Sequence, residues 1–228
     1  MAHYYQLMLK ACSLLTISLI VFGCSGVEKD VSAPAADASA VVQTEGQSEQ
    51  QTAAEKIKFK QADGAEKYSL KFKADGAKFV DADDNEIARL KVDDRQKVKI
   101  KAADETVLGY VVTKDGYWKL ENAAQSEELY ILRLQGDGDL KLEDGQDKQI
   151  YRIKKRDYGY EIETPEKRSL YKVKVKAGKT SLRDANEDTV ISTKSPISPA
   201  AMTPFGFDVL SPPQQAAFAY AVNGSNVN

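Results

Sequence analysis

One spacing constrains this chain more than any other feature. Tyr68, Tyr110, Tyr130, Tyr151 and Tyr171 fall on a single period of roughly 20 to 21 residues, with one copy missing near Arg89-Leu90. Around each tyrosine an alternating run leads into a turn and then a second run. Tyr68-Ser69-Leu70-Lys71-Phe72 leads to Asp75-Gly76, Tyr110-Val111-Val112 to Asp115-Gly116, and Tyr151-Arg152-Ile153-Lys154 to Tyr158-Gly159. Tyr171-Lys172-Val173-Lys174-Val175 leads to Gly178, and 129–134 to Gly136 and Gly138. Alternation of period two puts Tyr, Leu, Ile, Val and Phe on one face of a strand and Lys, Arg or Ser on the other. Asp-Gly pairs between such runs favour tight hairpins because both residues tolerate positive φ. About six repeats of two strands predict a mainly β fold, an antiparallel barrel or sandwich of about a dozen strands between Lys56 and Thr193.

This pattern fixes expectations for individual side chains. The tyrosine stripe reads as inward-facing core residues with wet hydroxyls rather than a ladder for aromatic ligands. The alternating lysines Lys56, Lys58, Lys60, then Lys97, Lys99, Lys101, then Lys172, Lys174, Lys176 read chiefly as a solvated face that discourages edge-to-edge pairing. The last two triplets are also candidate contacts for anionic headgroups. Asp81-Ala82-Asp83-Asp84-Asn85-Glu86 opens like a calcium loop, but Glu86 stands where glycine is required and Val92 where a glutamate is required. A polar hairpin end is the expectation there.

After Thr193 the texture changes. Pro196, Pro199 and Pro204 predict an extended connector over 195–207. Ser211, Pro212 and Gln214 form the signature of a capped helix start. Ala216-Ala217-Phe218-Ala219-Tyr220-Ala221-Val222 continues it, and Asn223-Gly224 predicts a left-handed end. This helix has no charge and no polar stripe, so it should be enclosed on all sides.

At the other end, Lys10 precedes an uncharged apolar stretch, Ala11 to Phe22. It is a signal-peptide core, well short of the roughly 20 residues a spanning helix needs. Val21-Phe22-Gly23-Cys24 resembles a lipobox, which implies cleavage between Gly23 and Cys24 and acylation of Cys24. Durable anchoring takes more than one acyl chain, which lipoprotein processing supplies. Ser25, where enteric lipoproteins retained in the inner membrane carry aspartate, points to the outer membrane, with the protein facing the periplasm. Residues 24–54, poor in apolar side chains and free of aromatics, read as a flexible tether. The organisation expected is thus signal 1–23, lipidated tether 24–54, β repeat 55–194, and connector plus helix 195–228.

Processing removes most catalytic residue types. The single histidine, His3, and Cys12 leave with the signal, and Cys24 is taken by lipid. Histidine-based triads, cysteine nucleophiles and His-ligated metals are then excluded, and no disulfide is available. Only carboxylate or Ser-Lys chemistry remains, without a motif for either. Acid and base nearly balance, 34 to 32, and cations occur singly, which sets nucleic acid aside as a partner. No cofactor and no metal are expected.

Tandem hairpins such as the one containing Tyr151-Arg152-Ile153-Lys154, followed by a connector and one apolar terminal helix, resemble the tubby-like superfamily of tubby C-terminal domains, LURP-one-related proteins and phospholipid scramblases. That resemblance implies a closed barrel wrapped around a central helix, here Pro212 to Asn223, and suggests affinity for anionic lipid. The expectation for function is a membrane-anchored, non-enzymatic binding or structural module with an envelope protein as partner. The alternative is an anionic-lipid-binding protein, and the third reading is a carboxylate-based envelope hydrolase.

Overall fold

The structure is a computed structural model and describes residues 55–225. Gly23, Cys24 and the signal and tether predicted over 1–54 lie outside the described residues. Fourteen strands follow in order: β1 (Lys56–Lys60), β2 (Glu66–Lys73), β3 (Gly76–Asp81), β4 (Glu86–Val92), β5 (Lys97–Ala102), β6 (Val107–Lys114) and β7 (Tyr117–Glu121). The second half comprises β8 (Glu128–Leu134), β9 (Leu140–Asp144), β10 (Gln149–Arg156), β11 (Gly159–Glu163), β12 (Ser169–Lys176), β13 (Lys179–Asp184) and β14 (Thr189–Thr193). Each pairs antiparallel with its neighbours in sequence, and β1 pairs with β14, so the meander closes into a barrel. The expected dozen strands are fourteen. Counting tyrosines undercounts because β1 and β14, which meet at the closure, carry none.

Two kinds of hairpin build the barrel. Nine connections share one loop, in which the opening residue accepts from the N–H three residues on and that later residue is left-handed. Gly64 and Gly138 fill the left-handed position in two of them, while Asp84, Gln96, Glu105, Gln125, Asp147, Lys167 and Glu187 fill the rest. This is a type I turn closed by a bulge residue. In four of these loops the opening aspartate, Asp81, Asp93, Asp144 or Asp184, also accepts backbone N–H groups two and four residues on. Asp81 to Glu86 is therefore the end of the β3–β4 hairpin, held by its own backbone. The 20-residue period is the spacing of the loops that open at Gln61, Asp81, Ala102, Asn122, Asp144, Thr164 and Asp184, all at one end of the barrel. The other end has the four tight turns and the two remaining shared loops, which open at Asp93 and Gln135. At Gly76 an added Cβ would lie 2.0 Å from the Leu90 carbonyl oxygen, so no side chain fits where β3 begins.

Parity sets inside against outside. Ile57, Phe59, Leu70, Phe79, Leu90 and Ile100 face inward and are at most 2 % exposed. Tyr68, Tyr130, Tyr151 and Tyr171 join or pack against the same core, as the stripe predicts. Tyr110 does not. Gly109 pairs with inward Ile100 and Val111 with inward Val98, so Tyr110, between them, lies on the outer face. It sits one residue out of phase, and in a strand one residue reverses the face.

The segment predicted as an extended connector is helical in its second half. Ser198 caps α1 (Pro199–Met202) by accepting from Ala201 N–H at 3.2 Å, and a 3-10 turn (Thr203–Gly206) follows. Both prolines fall in first turns, where their missing N–H costs nothing. A second helix, α2 (Pro212–Gly224), begins with Gln214 accepting from Ser211 N–H at 2.9 Å. The left-handed end expected at Gly224 is absent. The helix runs through Gly224 to Ser225, whose hydroxyl donates to Ala221 O and accepts from the Trp118 ring N–H. Ala216, Ala217, Phe218 and Ala219 are all buried, and four consecutive residues at 100° steps cover nearly the whole circumference, so α2 is enclosed on every side as predicted. It packs against β4 to β7, while α1 packs against β11 to β13.

Lys167, exposed and left-handed at φ 69°, allows a test of the loop geometry. A non-glycine residue there costs about 1–2 kcal/mol, partly offset by the backbone entropy glycine loses on folding. Lys167→Gly should raise stability by about 0.5 kcal/mol in urea denaturation. A loss of stability would contradict the assigned turn.

Candidate functional site

The lysine triplets predicted as binding residues lie on the outer face, on β5 and β12. These strands stand seven apart in a ring of fourteen, on opposite sides of the barrel, so the two triplets do not form one site.

On β5 the triplet is drawn together around Tyr110. Lys91, Lys99 and Tyr110 stand opposite one another on β4, β5 and β6, and Glu121 continues the row on β7. Lys91, Lys97, Lys99, Lys101, Tyr110 and Gln125 line a surface depression of about 390 Å³. The Lys97 ammonium lies 4.5 Å and the Lys99 ammonium 5.5 Å from the centre of the Tyr110 ring, within cation–π range. Two lysines across one ring leave Tyr110 only 9 % exposed. Lys97 also donates to Glu121 at 3.0 Å and to Gln125. Burial works against ionisation of Glu121, but Lys97 and Lys119 outweigh it and hold its carboxyl below the usual range. Lys101 pairs with Glu105 and Lys91 with Asp75. Lys99 alone of the four lysines has no ion pair among the described residues.

On β12 the outcome is simpler. Lys172 and Lys174 both donate to Glu187, at 2.7 and 2.6 Å, and draw its carboxyl down to about 2. Lys176 lies exposed beside the Ala177-Gly178 turn. Sequence reasoning misses Glu187, since nothing in its neighbours marks it as the left-handed residue of a loop that folds back over β12. The outward turn of Tyr110 is not visible in its spacing, which keeps the period, and follows only from its pairing with outward Lys99.

The β1–β5 face shows the same rule at larger scale. Lys56, Lys71, Lys78, Arg89 and Lys101 stand in register on five successive strands. Like charges directly opposite destabilise a sheet. Glu66, Asp84, Glu86 and Glu105 lie among them and pair with each in turn. Glu66 accepts from Ser69 Oγ at 2.5 Å and from Lys58 at 3.0 Å, and its carboxyl falls to about 2.

No protein-family model matches the chain, and no curated protein matches it. Among solved structures, the crystal structure of the protein AT5G01750 from Arabidopsis thaliana is similar at 12% identity, over 60% of this chain and 78% of that one, with a TM-score of 0.37. Nothing is transferred from it at that distance.

Glu66 and Glu187 give the paired face a pH signature. Each has a folded pKa of about 2 against 4.5 for the free side chain, so its stabilising contribution is complete above pH 4.5 and is lost as pH falls through 2. Unfolding temperature should therefore drop across that window, and Glu66→Gln should flatten part of the drop. An identical acid profile in the variant would contradict the pairing.

Proposed function

We propose that the chain is a lipid-anchored envelope protein whose barrel serves as a non-enzymatic binding or structural module. On this reading Cys24 carries the lipid, the anchor lies in the outer membrane, and the barrel faces the periplasm. The carrying observation is the state of the carboxylates. Every described carboxylate whose titration is displaced is displaced downward, held ionised by lysine, arginine, hydroxyl or backbone N–H partners. A carboxylate hydrolase needs one acid pushed up so that it carries a proton at neutral pH. The ionised set favours a binding surface over the hydrolase reading. Among the described residues no helix is long and apolar enough to cross a membrane.

We further propose that α2 lies along the barrel axis, as the tubby-like resemblance implies. Its burial on every side supports this, as do its packing on β4 to β7 and its membership, with the inward strand residues, in one core. Phe218 and Val222 are fully buried, and Tyr220 meets Phe72 at 5.9 Å between ring centres. The alternative reading, anionic-lipid binding through the β5 and β12 lysines, receives less support because Lys97, Lys101, Lys172 and Lys174 are already satisfied by carboxylates.

Crosslinking in cells should capture the same envelope component reproducibly, and Cys24→Ser should leave the membrane fraction and lose that capture. Retention of the variant on the membrane, or repeated failure to capture any component with the wild-type chain, contradicts the proposal.

A further inference from the structure

The β1–β14 seam differs from the rest of the outer face. Its ladder is the shortest in the barrel, a single registered pair, Lys60 opposite Ser192. Continuing that register by two residues, and the Thr180–Thr193 register of β13 and β14 by one, brings Lys58, Lys194 and Lys179 into one row across the closure. Lys176 faces Lys179 on β12 and extends the row. Elsewhere such a row is neutralised by carboxylates beside it, as Glu66, Asp84, Glu86 and Glu105 do for Lys56, Lys71, Lys78, Arg89 and Lys101. Here Lys60, Lys179 and Lys194 form no ion pair among the described residues, and only Lys58 has one, with Glu66.

These lysines line a depression of about 380 Å³ together with Ser192 and Ser195, and no carboxylate contributes to its wall. Ser192 is only 3 % exposed and stands opposite Lys60 in this wall. A wall hydroxyl and a set of ammonium groups without carboxylate partners share one requirement, a polyatomic anion that accepts several hydrogen bonds. A tetrahedral oxyanion meets it with four acceptor corners. Outside the seam, most strand cations that stand in rows pair with a carboxylate of the chain; here the counter-charge has to come from solution.

We propose that the seam is a phosphate-binding site, with Lys60, Lys179 and Lys194 supplying charge and Ser192 a hydroxyl donor. The phosphate is either free or part of an anionic lipid headgroup. Only the lipid source rests on the anchored reading above; the site itself does not. β1 is the strand nearest in sequence to Cys24, which on that reading keeps the seam close to the bilayer in chain length. The Lys97 and Lys172 triplets play no part in it.

The test uses the full chain carrying Cys24→Ser, so that acylation does not itself bind vesicles, with and without Lys60→Ala, Lys179→Ala and Lys194→Ala together. A second triple variant, Lys114→Ala, Lys148→Ala and Lys167→Ala, removes equal charge from exposed positions elsewhere. Pyrophosphate binding is followed by calorimetry, and vesicle binding by flotation with phosphatidylglycerol in phosphatidylcholine, at low and high salt. The seam variant should lose tenfold or more in affinity for at least one probe while the control triple stays near the parent, and the loss should shrink as salt screens the parent. Pyrophosphate binding that also competes with vesicles assigns the site to phosphate as such; vesicle binding without pyrophosphate binding assigns it to the lipid headgroup. Equal affinity of parent and seam variant, equal losses in both triples, or binding of neither probe by the parent overturns the proposal. Crosslinking of a protein partner is a separate readout, so either proposal can fail without the other.

Discussion

Closure of the sheet is the constraint on which everything else rests. A meander of fourteen strands would leave two exposed edges, each a template for unwanted pairing, and joining β1 to β14 removes both. Closure also creates a volume problem. About eight strands make a barrel that inward side chains just fill, and barrels of 16 or more enclose open channels. Fourteen strands therefore need filling from elsewhere in the chain. The C-terminal segment is suited to this: α1, the 3-10 turn and α2 share one core with the inward strand residues, and α2 is apolar around its whole circumference. Its alanines keep it slender, and Phe218 and Val222 supply bulk. An axial α2 is the arrangement we propose on these grounds.

Much of this architecture is legible in the amino-acid sequence. Period-two alternation identifies the strands, and the 20-residue spacing identifies the repeat, because the loops at one end of the barrel share one turn and differ little in length. The absence of charge from 212 to 222 marks α2 for burial. What is not legible depends on positions meeting across the ring. β1 and β14 lack the tyrosine that marks the other repeats, so their pairing is invisible in composition. Tyr110 matches the period by type but not by phase, and a one-residue slip is decisive only when parity is known from the partner strand. The helical turn at Pro199 is hidden because proline marks both extended chain and first helical turns; Ser198 immediately before it is the clue to the second.

The candidate site is legible only in part. The Lys97, Lys99 and Lys101 triplet does converge on an aromatic side chain, yet Lys97 and Lys101 find Glu121 and Glu105 from other strands and loops, and no local sequence pattern reveals such partners. Lys172 and Lys174 are claimed by Glu187 in the same way. Across the outer face, rows of cations and rows of carboxylates interlock, which spares the sheet the repulsion of like charges. The seam departs from this arrangement, and it departs where the barrel is joined by the fewest backbone bonds. Strand pairing and charge thus single out the same strip of surface.

Strands and C-terminal segment, sharing one core, should behave as one cooperative body. Native-state hydrogen exchange followed by mass spectrometry measures this directly. Amides of Ala216 to Val222 should open with the same free energy as those at the centres of β5, β6 and β7, because neither part keeps its apolar surface covered without the other. Fast exchange across α2 while the strands remain protected would show that the barrel stands without its helix, and would contradict the account.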